Sequence, residues 1–385
     1  MAATRAYLDH NASAPLLPAA RAAMLAALDA DANPSSVHGE GRASRALVEA
    51  ARRNVAALVG GKAEHVVFTS GATEAATTLL CHDWQMGRGS VRMARLCVSA
   101  ADHPCILGGG RFDPARVDVV AVDANGIVDL AQLDAMLSGH DREQGVALVA
   151  IHAANNETGV IQPLDAIAAV VRKAGGVFVV DAVQAAGRIP VDVGMADYLI
   201  LSSHKIGGPK GAGAIVAASD LMMPKPLIVG GGQEKGHRAG TENPAAIAGF
   251  GAAAKDALAG LGTMGEVAAM RDRVERIVLD LEPDAEIHGK ASPRLHNTTF
   301  FSLPGIKAET AQIAFDLAGV ALSAGSACSS GKVGPSHVLK AMGHGDGAGA
   351  LRVSLGRSTT AADIAIFETA LAGLLARRPG KTRAA

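Results

Sequence analysis

Three short segments carry side chains whose types and positions suit one kind of chemistry. Residues 69–74, Thr-Ser-Gly-Ala-Thr-Glu, follow an apolar run and open a helical pattern. Free backbone N–H groups and the positive end of a helix dipole make a ready phosphate site there. The Thr73 hydroxyl adds a donor, although an ordinary helix cap explains the segment equally well taken alone. It is not a P-loop, because the GxxxxGK[ST] pattern is absent. Asp181 closes the apolar run 176–181, where a carboxylate is costly without a cationic partner; a cap on the next helix is its bland reading. Lys205 ends Leu201-Ser202-Ser203-His204-Lys205, ahead of Gly207-Gly208-Pro209. A lone lysine is usually a solvated surface group. Buried in a Gly-rich turn near a strand-end aspartate, its pKa can fall far enough for Schiff-base chemistry. Phosphate loop, Asp181 and Lys205 together describe a pyridoxal phosphate site, the aspartate keeping the ring nitrogen protonated and the lysine holding the aldehyde.

Positioning those groups requires strands that end at one edge. Apolar, β-branched runs predict seven strands over 65–69, 95–99, 117–121, 146–151, 176–181, 197–201 and 212–217. Helical patterns fall at 43–59, 72–80, 130–138 and 164–174. Strands alternating with helices predict an α/β fold with a mostly parallel seven-stranded sheet covered on both faces. Ligands in such sheets gather at the carboxyl ends of the strands. After about Asn243 the texture changes to helices over 244–261 and 264–281, the second ended by Glu282-Pro283-Asp284. A smaller α/β unit follows, with strands at 296–302 and 351–355 and a helix near 309–318. We expect a large domain over 16–260 and a small domain built from 1–15 and 261–385. The basic tail from Arg377 reads as a frayed helix end.

Composition narrows the function classes. Of 385 residues 49% are hydrophobic and 19% charged, which suits two or three packed domains and excludes disorder over most of the length. A formal charge of −1 gives no electrostatic reason for a nucleic-acid or anionic-membrane partner. No apolar run reaches the ~20 residues needed to span a bilayer, and the N-terminus lacks a signal-peptide core. A cytoplasmic protein is expected. Cys81, Cys97, Cys105 and Cys328 are too few for a disulfide scaffold and lack CxxC spacing, so no metal site is expected.

An ordered set of motifs makes the reading specific. Tyr7-Leu8-Asp9-His10-Asn11-Ala12, Asn33-Pro34-Ser35-Ser36, Gly71-Ala72-Thr73-Glu74, Asp181-Ala182-Val183-Gln184 and the run from Ser202 to Gly211 occur in that order. Arg238-Ala239-Gly240-Thr241-Glu242-Asn243 and Gly325-Ser326-Ala327-Cys328-Ser329-Ser330-Gly331 follow. From about Tyr7 to Arg357 the chain resembles the NifS/IscS-type cysteine desulfurases of the class V aminotransferase superfamily. The resemblance implies a fold-type-I architecture, a homodimer, pyridoxal 5'-phosphate, L-cysteine as substrate and a sulfur-acceptor or iron–sulfur scaffold protein as partner. It also implies roles. His103 stacks on the cofactor ring and moves protons, Asn156 lies near ring and substrate, and Gln184 hydrogen-bonds the ring hydroxyl oxygen. Ala72, Thr73, Ser203 and His204 hold the phosphate, with Thr241 doing so from the other subunit. Arg352 binds the substrate carboxylate, a task that suits a planar bidentate fork.

Cys328 separates this family from its relatives. Free cysteines are mostly small buried hydrophobes, the reading given to Cys81 and Cys97, with Cys105 as packing beside His103. The Gly/Ser-rich surroundings of Cys328 hold no bulky apolar residue, so an accessible, mobile loop is expected. The stretch from Cys328 to Pro335 reaches up to about 20 Å, enough for a nucleophile that visits the cofactor and then faces outward. By resemblance the Cys328 thiolate takes the substrate sulfur as a persulfide and leaves alanine, with His103 and Lys205 as proton carriers. Departures from the family pattern are Ala75-Ala76-Thr77-Thr78 after the phosphate loop and Asp102 in place of a common Glu. The chain ends soon after its last helix, without the longer extension by which IscS-type enzymes dock a scaffold, which leaves the acceptor open. A selenocysteine lyase or aminotransferase on the same scaffold is the sister reading; the loop cysteine argues against the aminotransferase. A degenerate paralogue that only binds partners would have lost the Lys, Asp or Cys, and all three are present.

Overall fold

The computed structural model describes residues 5–325, 335–345 and 349–378. Its centre is a mixed nine-stranded sheet. All seven expected strands form. Val117–Val120, Gly89–Ser99, Val146–His152, Val177–Asp181 and Tyr198–Ser202 lie side by side in parallel, and Gly213–Ala217 and Val66–Thr69 follow antiparallel. Two strands were not expected, Asp83–Met86 and Met222–Pro224, both antiparallel. Asp83–Met86 is short and mostly exposed, so its sequence carries no apolar run. It forms because Gly89–Ser99 extends six residues earlier than expected and folds back through a tight turn, with Gly87 at φ 58°.

Burial explains why the inner strands read as unbroken apolar runs. Val149, Ile151, Phe178, Val180, Leu199 and Leu201 face one core, shared with the helices Gly39–Leu58, Leu164–Lys173 and Pro244–Ala259. Their neighbours Leu148, Ala150, Val179, Tyr198 and Ile200 face the opposite core, filled by Ala75, Leu79 and Trp84. The period of two thus buries both faces.

A separate core lies in the second half of the chain. Glu286–Ile287, Thr298–Ser302, Leu351–Ser354 and Ser323–Ala324 form an antiparallel four-stranded sheet in that order. The helices Met264–Leu281, Ala308–Leu317 and Ala361–Ala376 pack on it through Val274, Phe315 and Phe367. Ala6 and Leu8 join the same core, because Ala6–Tyr7 pairs with Val320–Ala321. The N-terminal segment therefore packs with the C-terminal unit.

Candidate active site

Four neighbouring parallel strands end at one edge of the large sheet, and each delivers a polar group there. Ser99, His152, Asp181 and Ser202 are the last residues of their strands, and His152 is the direct register partner of Asp181. A cavity of about 390 Å³ opens over this edge. Its wall includes Ala72, Thr73, His103, Asn156, Asp181, Gln184, His204 and Lys205, all expected from the sequence.

The helix Ala72–Leu79 starts at the cavity mouth with Gly71 as N-cap and no side-chain cap. Its first N–H groups are thus left for a ligand. A Cβ at Gly213 would lie 2.6 Å from the carbonyl carbon of Gly71, so only glycine lets the strand approach the helix start so closely. Glu74, also on the wall, is already engaged: it accepts from the Ser70 N–H at 2.8 Å and pairs with Arg238 at 3.0 Å. Its carboxyl is held below the ordinary value by those partners, against the effect of burial.

Asp181 is buried, and desolvation pushes its carboxyl up, offset by the Val183 N–H (3.0 Å) and by His103. No ion pair holds it among the described residues. His103 is pushed down by burial, and its Nδ1 lies 3.2 Å from the Cys105 N–H. That nitrogen accepts, so in the neutral ring Nε2 carries the proton. Burial and the cations Lys205, Lys210 and Arg188 push His204 down to about 4. The Lys205 Nζ donates to the carbonyls of Asn11 and Ala12 at 2.7 and 2.9 Å. It sits one turn past its strand, in the short helix Ser203–Lys205.

Three expected groups stand off this cavity. Ser203 is fully buried, and its Oγ has no hydrogen-bond partner among the described residues; a Cβ at Gly208 would lie 2.1 Å from that oxygen. Ser202 occupies the cavity wall instead. The 3-10 turn after the strand directs the second serine into the interior, which adjacent residue letters do not reveal. Arg352 is fully buried behind Asn156, donating to its carbonyl at 3.0 Å, and pairs with Asp9 at 2.8 Å and Ser323 at 3.1 Å. Thr241 is exposed and off this cavity. Cys328 lies outside the described residues.

Sequence reasoning missed two contributors. His152 lines the cavity and is held by Asp102, whose Oδ1 lies 2.5 Å from Nδ1. A polar residue ending an apolar strand was the available signal, the same one that singled out Asp181. Asn11 joins the two cores. Its carbonyl accepts from Lys205 and Gln184, and its Nδ2 donates to the Asn156 carbonyl and Thr298. Those contacts are 145 to 287 residues distant in sequence, beyond any local pattern.

The arrangement fits pyridoxal phosphate on its own chemistry: an uncapped helix start for the phosphate, a buried carboxylate lacking a cation, and a lysine at the same wall. The class-V aminotransferase profile matches residues 6–367, and the chain belongs to that pyridoxal-phosphate-dependent family. A cysteine desulfurase of Cereibacter sphaeroides is 40% identical over 374 residues, spanning 94% of this chain and 93% of the relative. One from Frankia sp. is 40% identical, spanning 93% and 88%. A NifS-like protein from Rickettsia africae superposes with a TM-score of 0.85 at 31% identity, covering 96% of this chain and 99% of its own. Within the family the chain is one of the NifS-like cysteine desulfurases.

Proposed function

We propose that this cavity performs the cysteine desulfurase reaction with Lys205 as the Schiff-base residue, Asp181 as partner of the ring nitrogen and Cys328 as sulfur acceptor. The observation that carries the reading is the convergence of Asp181, His103 and Lys205 on one cavity at the carboxyl edge of adjacent parallel strands. When bound, pyridoxal phosphate supplies an electron sink that stabilises the carbanion left by loss of the substrate α-proton. Asp181, desolvated and without an ion pair, favours a protonated nitrogen beside it. Ala72, Thr73, Ser202 and His204 hold the phosphate, and Gln184 faces the ring oxygen, its side chain fixed by the Asn11 carbonyl and by Arg188. His103 moves a proton through Nε2. Arg352 takes the substrate carboxylate next to Asn156.

Cysteine plus the Cys328 thiol gives alanine plus a Cys328 persulfide. The substrate C–S bond breaks, an S–S bond forms, and the thiol and α-protons are redistributed between products, so no external oxidant is required. An acceptor protein then takes the outer sulfur, and iron–sulfur assembly is the pathway class we favour. Exposed Thr241 supports a homodimer in which each copy completes the other's phosphate site. A large domain over 16–260 and a small one from 1–15 and 261–385 is supported by the separate cores. No helix among the described residues is long and apolar enough to cross a membrane. Cys81, Cys97 and Cys105 are free, which supports a reducing, cytoplasmic setting.

Cys328→Ala is the decisive test. On adding L-cysteine the variant should still change the cofactor spectrum, yet release no alanine above background. Alanine and sulfide formed near the wild-type rate with physiological reductants would remove Cys328 from the reaction.

A further inference from the structure

Away from the cavity, three metal-binding side chains meet at the edge of the small sheet. Glu286 and His288 flank Ile287 at the end of the edge strand, so they project to the same face. The His288 N–H continues the ladder to the Phe300 carbonyl at 2.8 Å. His344 arrives from the turn after the helix His337–Ala341, its N–H bonded to the Leu339 carbonyl at 2.9 Å. The two imidazoles meet edge to face with centroids 4.7 Å apart. One Glu286 oxygen lies 3.6 Å from His288 Nδ1 and 3.9 Å from His344 Nε2. One donor atom from each residue falls within 4.8 Å of the other two.

The decisive atom is His288 Nδ1. The His288 side chain is 2% exposed, and this nitrogen is buried with no hydrogen-bond partner among the described residues. Its tautomer follows from the neighbours. With the Ser302 Oγ proton assigned to the Gly349 carbonyl at 3.2 Å, Ser302 accepts from His288 Nε2 at 2.7 Å. This assignment puts the proton on Nε2 and leaves the Nδ1 lone pair bare, with the Glu286 carboxylate 3.6 Å away. A ligating histidine is held in this way, its far N–H fixed by an oxygen. We propose that Glu286, His288 and His344 form a binding site for one divalent transition-metal cation of the zinc class. Two imidazoles and one carboxylate suit zinc, cobalt or nickel rather than calcium or magnesium. Tetrahedral bonds of about 2.0–2.1 Å require donors roughly 3.3 Å apart, which small side-chain rotations achieve here. Glu286, 59% exposed, gives the ion an entry path. A bound ion would tie the edge strand to the turn after the helix.

The test uses the cofactor-loaded enzyme dialysed against Zn2+ and compares wild type with His344→Ala, Glu286→Gln and Ser302→Ala. All four keep the same thiols and the same cofactor, so a difference in metal content isolates this cluster. Wild type should retain one more zinc per chain than His344→Ala or Glu286→Gln, and zinc should raise its melting temperature but not theirs. Ser302→Ala, which removes the oxygen that orients His288 and its bond to the Gly349 carbonyl, should bind roughly 10–100-fold more weakly. His344 and Glu286 are the less buried ligands, so their replacement leaves folding intact, checked by unchanged cysteine turnover without added metal. Equal zinc content and affinity in wild type, His344→Ala and Glu286→Gln, including none in any, would overturn the site.

Discussion

On the wall built from the large sheet, Asp181 is buried without an ion pair among the described residues. On the side built from the small sheet, Arg352 is buried with Asp9 already on its fork and the Asn156 carbonyl beside it. An isolated buried charge is costly, and the cost is tolerable where a resident ligand supplies the countercharge. On the proposed roles, an arginine that waits for each substrate molecule lacks a resident ligand, so the chain itself supplies the countercharge through Asp9. The proposed roles thus separate two tasks: Asp181 would serve a group that stays, and Arg352 one that comes and goes.

The sharpest way to break the comparison is at Lys205, the proposed Schiff-base residue. Lys205→Ala should leave no measurable alanine production, and borohydride reduction of the wild type should place the pyridoxyl label on Lys205. A label on Lys210, which also lines the cavity, would move the resident site. Asp181→Asn keeps the shape and removes the charge. Its kcat should fall about 10²–10³-fold, the size expected when one preorganised electrostatic partner is lost, with KM little changed. If KM changes instead, Asp181 serves the substrate rather than the cofactor.

Arg352→Ala should lower kcat/KM for L-cysteine by roughly 10–100-fold, mainly through KM, matching the loss of one charge-assisted hydrogen bond. Lysine at the same position should recover only part, because it lacks the fork. Asp9→Asn sharpens the same point from the other side. It should cost the substrate-free protein about 1–3 kcal/mol, measured by urea unfolding, and saturating L-alanine should restore part of the loss. Equal stability with and without the product would mean that Arg352 does not receive its carboxylate.

The smallest effect concerns pH. His10, next to Asp9, is pushed down to about 4, chiefly by burial and then by Arg188. Its folded pKa lies below its unfolded one, so the unfolded chain takes up the proton first as pH falls from 6.5. Stability present above pH 6.5 is therefore lost toward pH 4, on the order of 1–2 kcal/mol at pH 5 from His10. Asp181, pushed up by burial, contributes in the opposite direction. Comparing wild type with His10→Gln at pH 7 and pH 5 cancels that term. Identical pH dependence in the two proteins would show that His10 is not the responsible group.

The seven sheet strands, the helices at 130–138 and 264–281, and the strand-end position of Asp181 were legible in residue order. Each depends on local rules: apolar runs for strands buried on both faces, helical periodicity, and a polar residue where a run stops. Nothing local marked Asp83–Met86 or Met222–Pro224 as strands, since their pairing is imposed by a neighbour that runs on past its apolar part. Tertiary structure alone turned Ser203 into the interior and Ser202 toward the cavity, set Asp9 on Arg352, and made Asn11 a hydrogen-bonded link between two cores. It alone brought Glu286, His288 and His344 together from segments 58 residues apart. Sequence letters specify which backbone states are favourable within a few residues. Which side chains share a buried space depends on how the sheets pack, and that is decided by the burial of the whole chain.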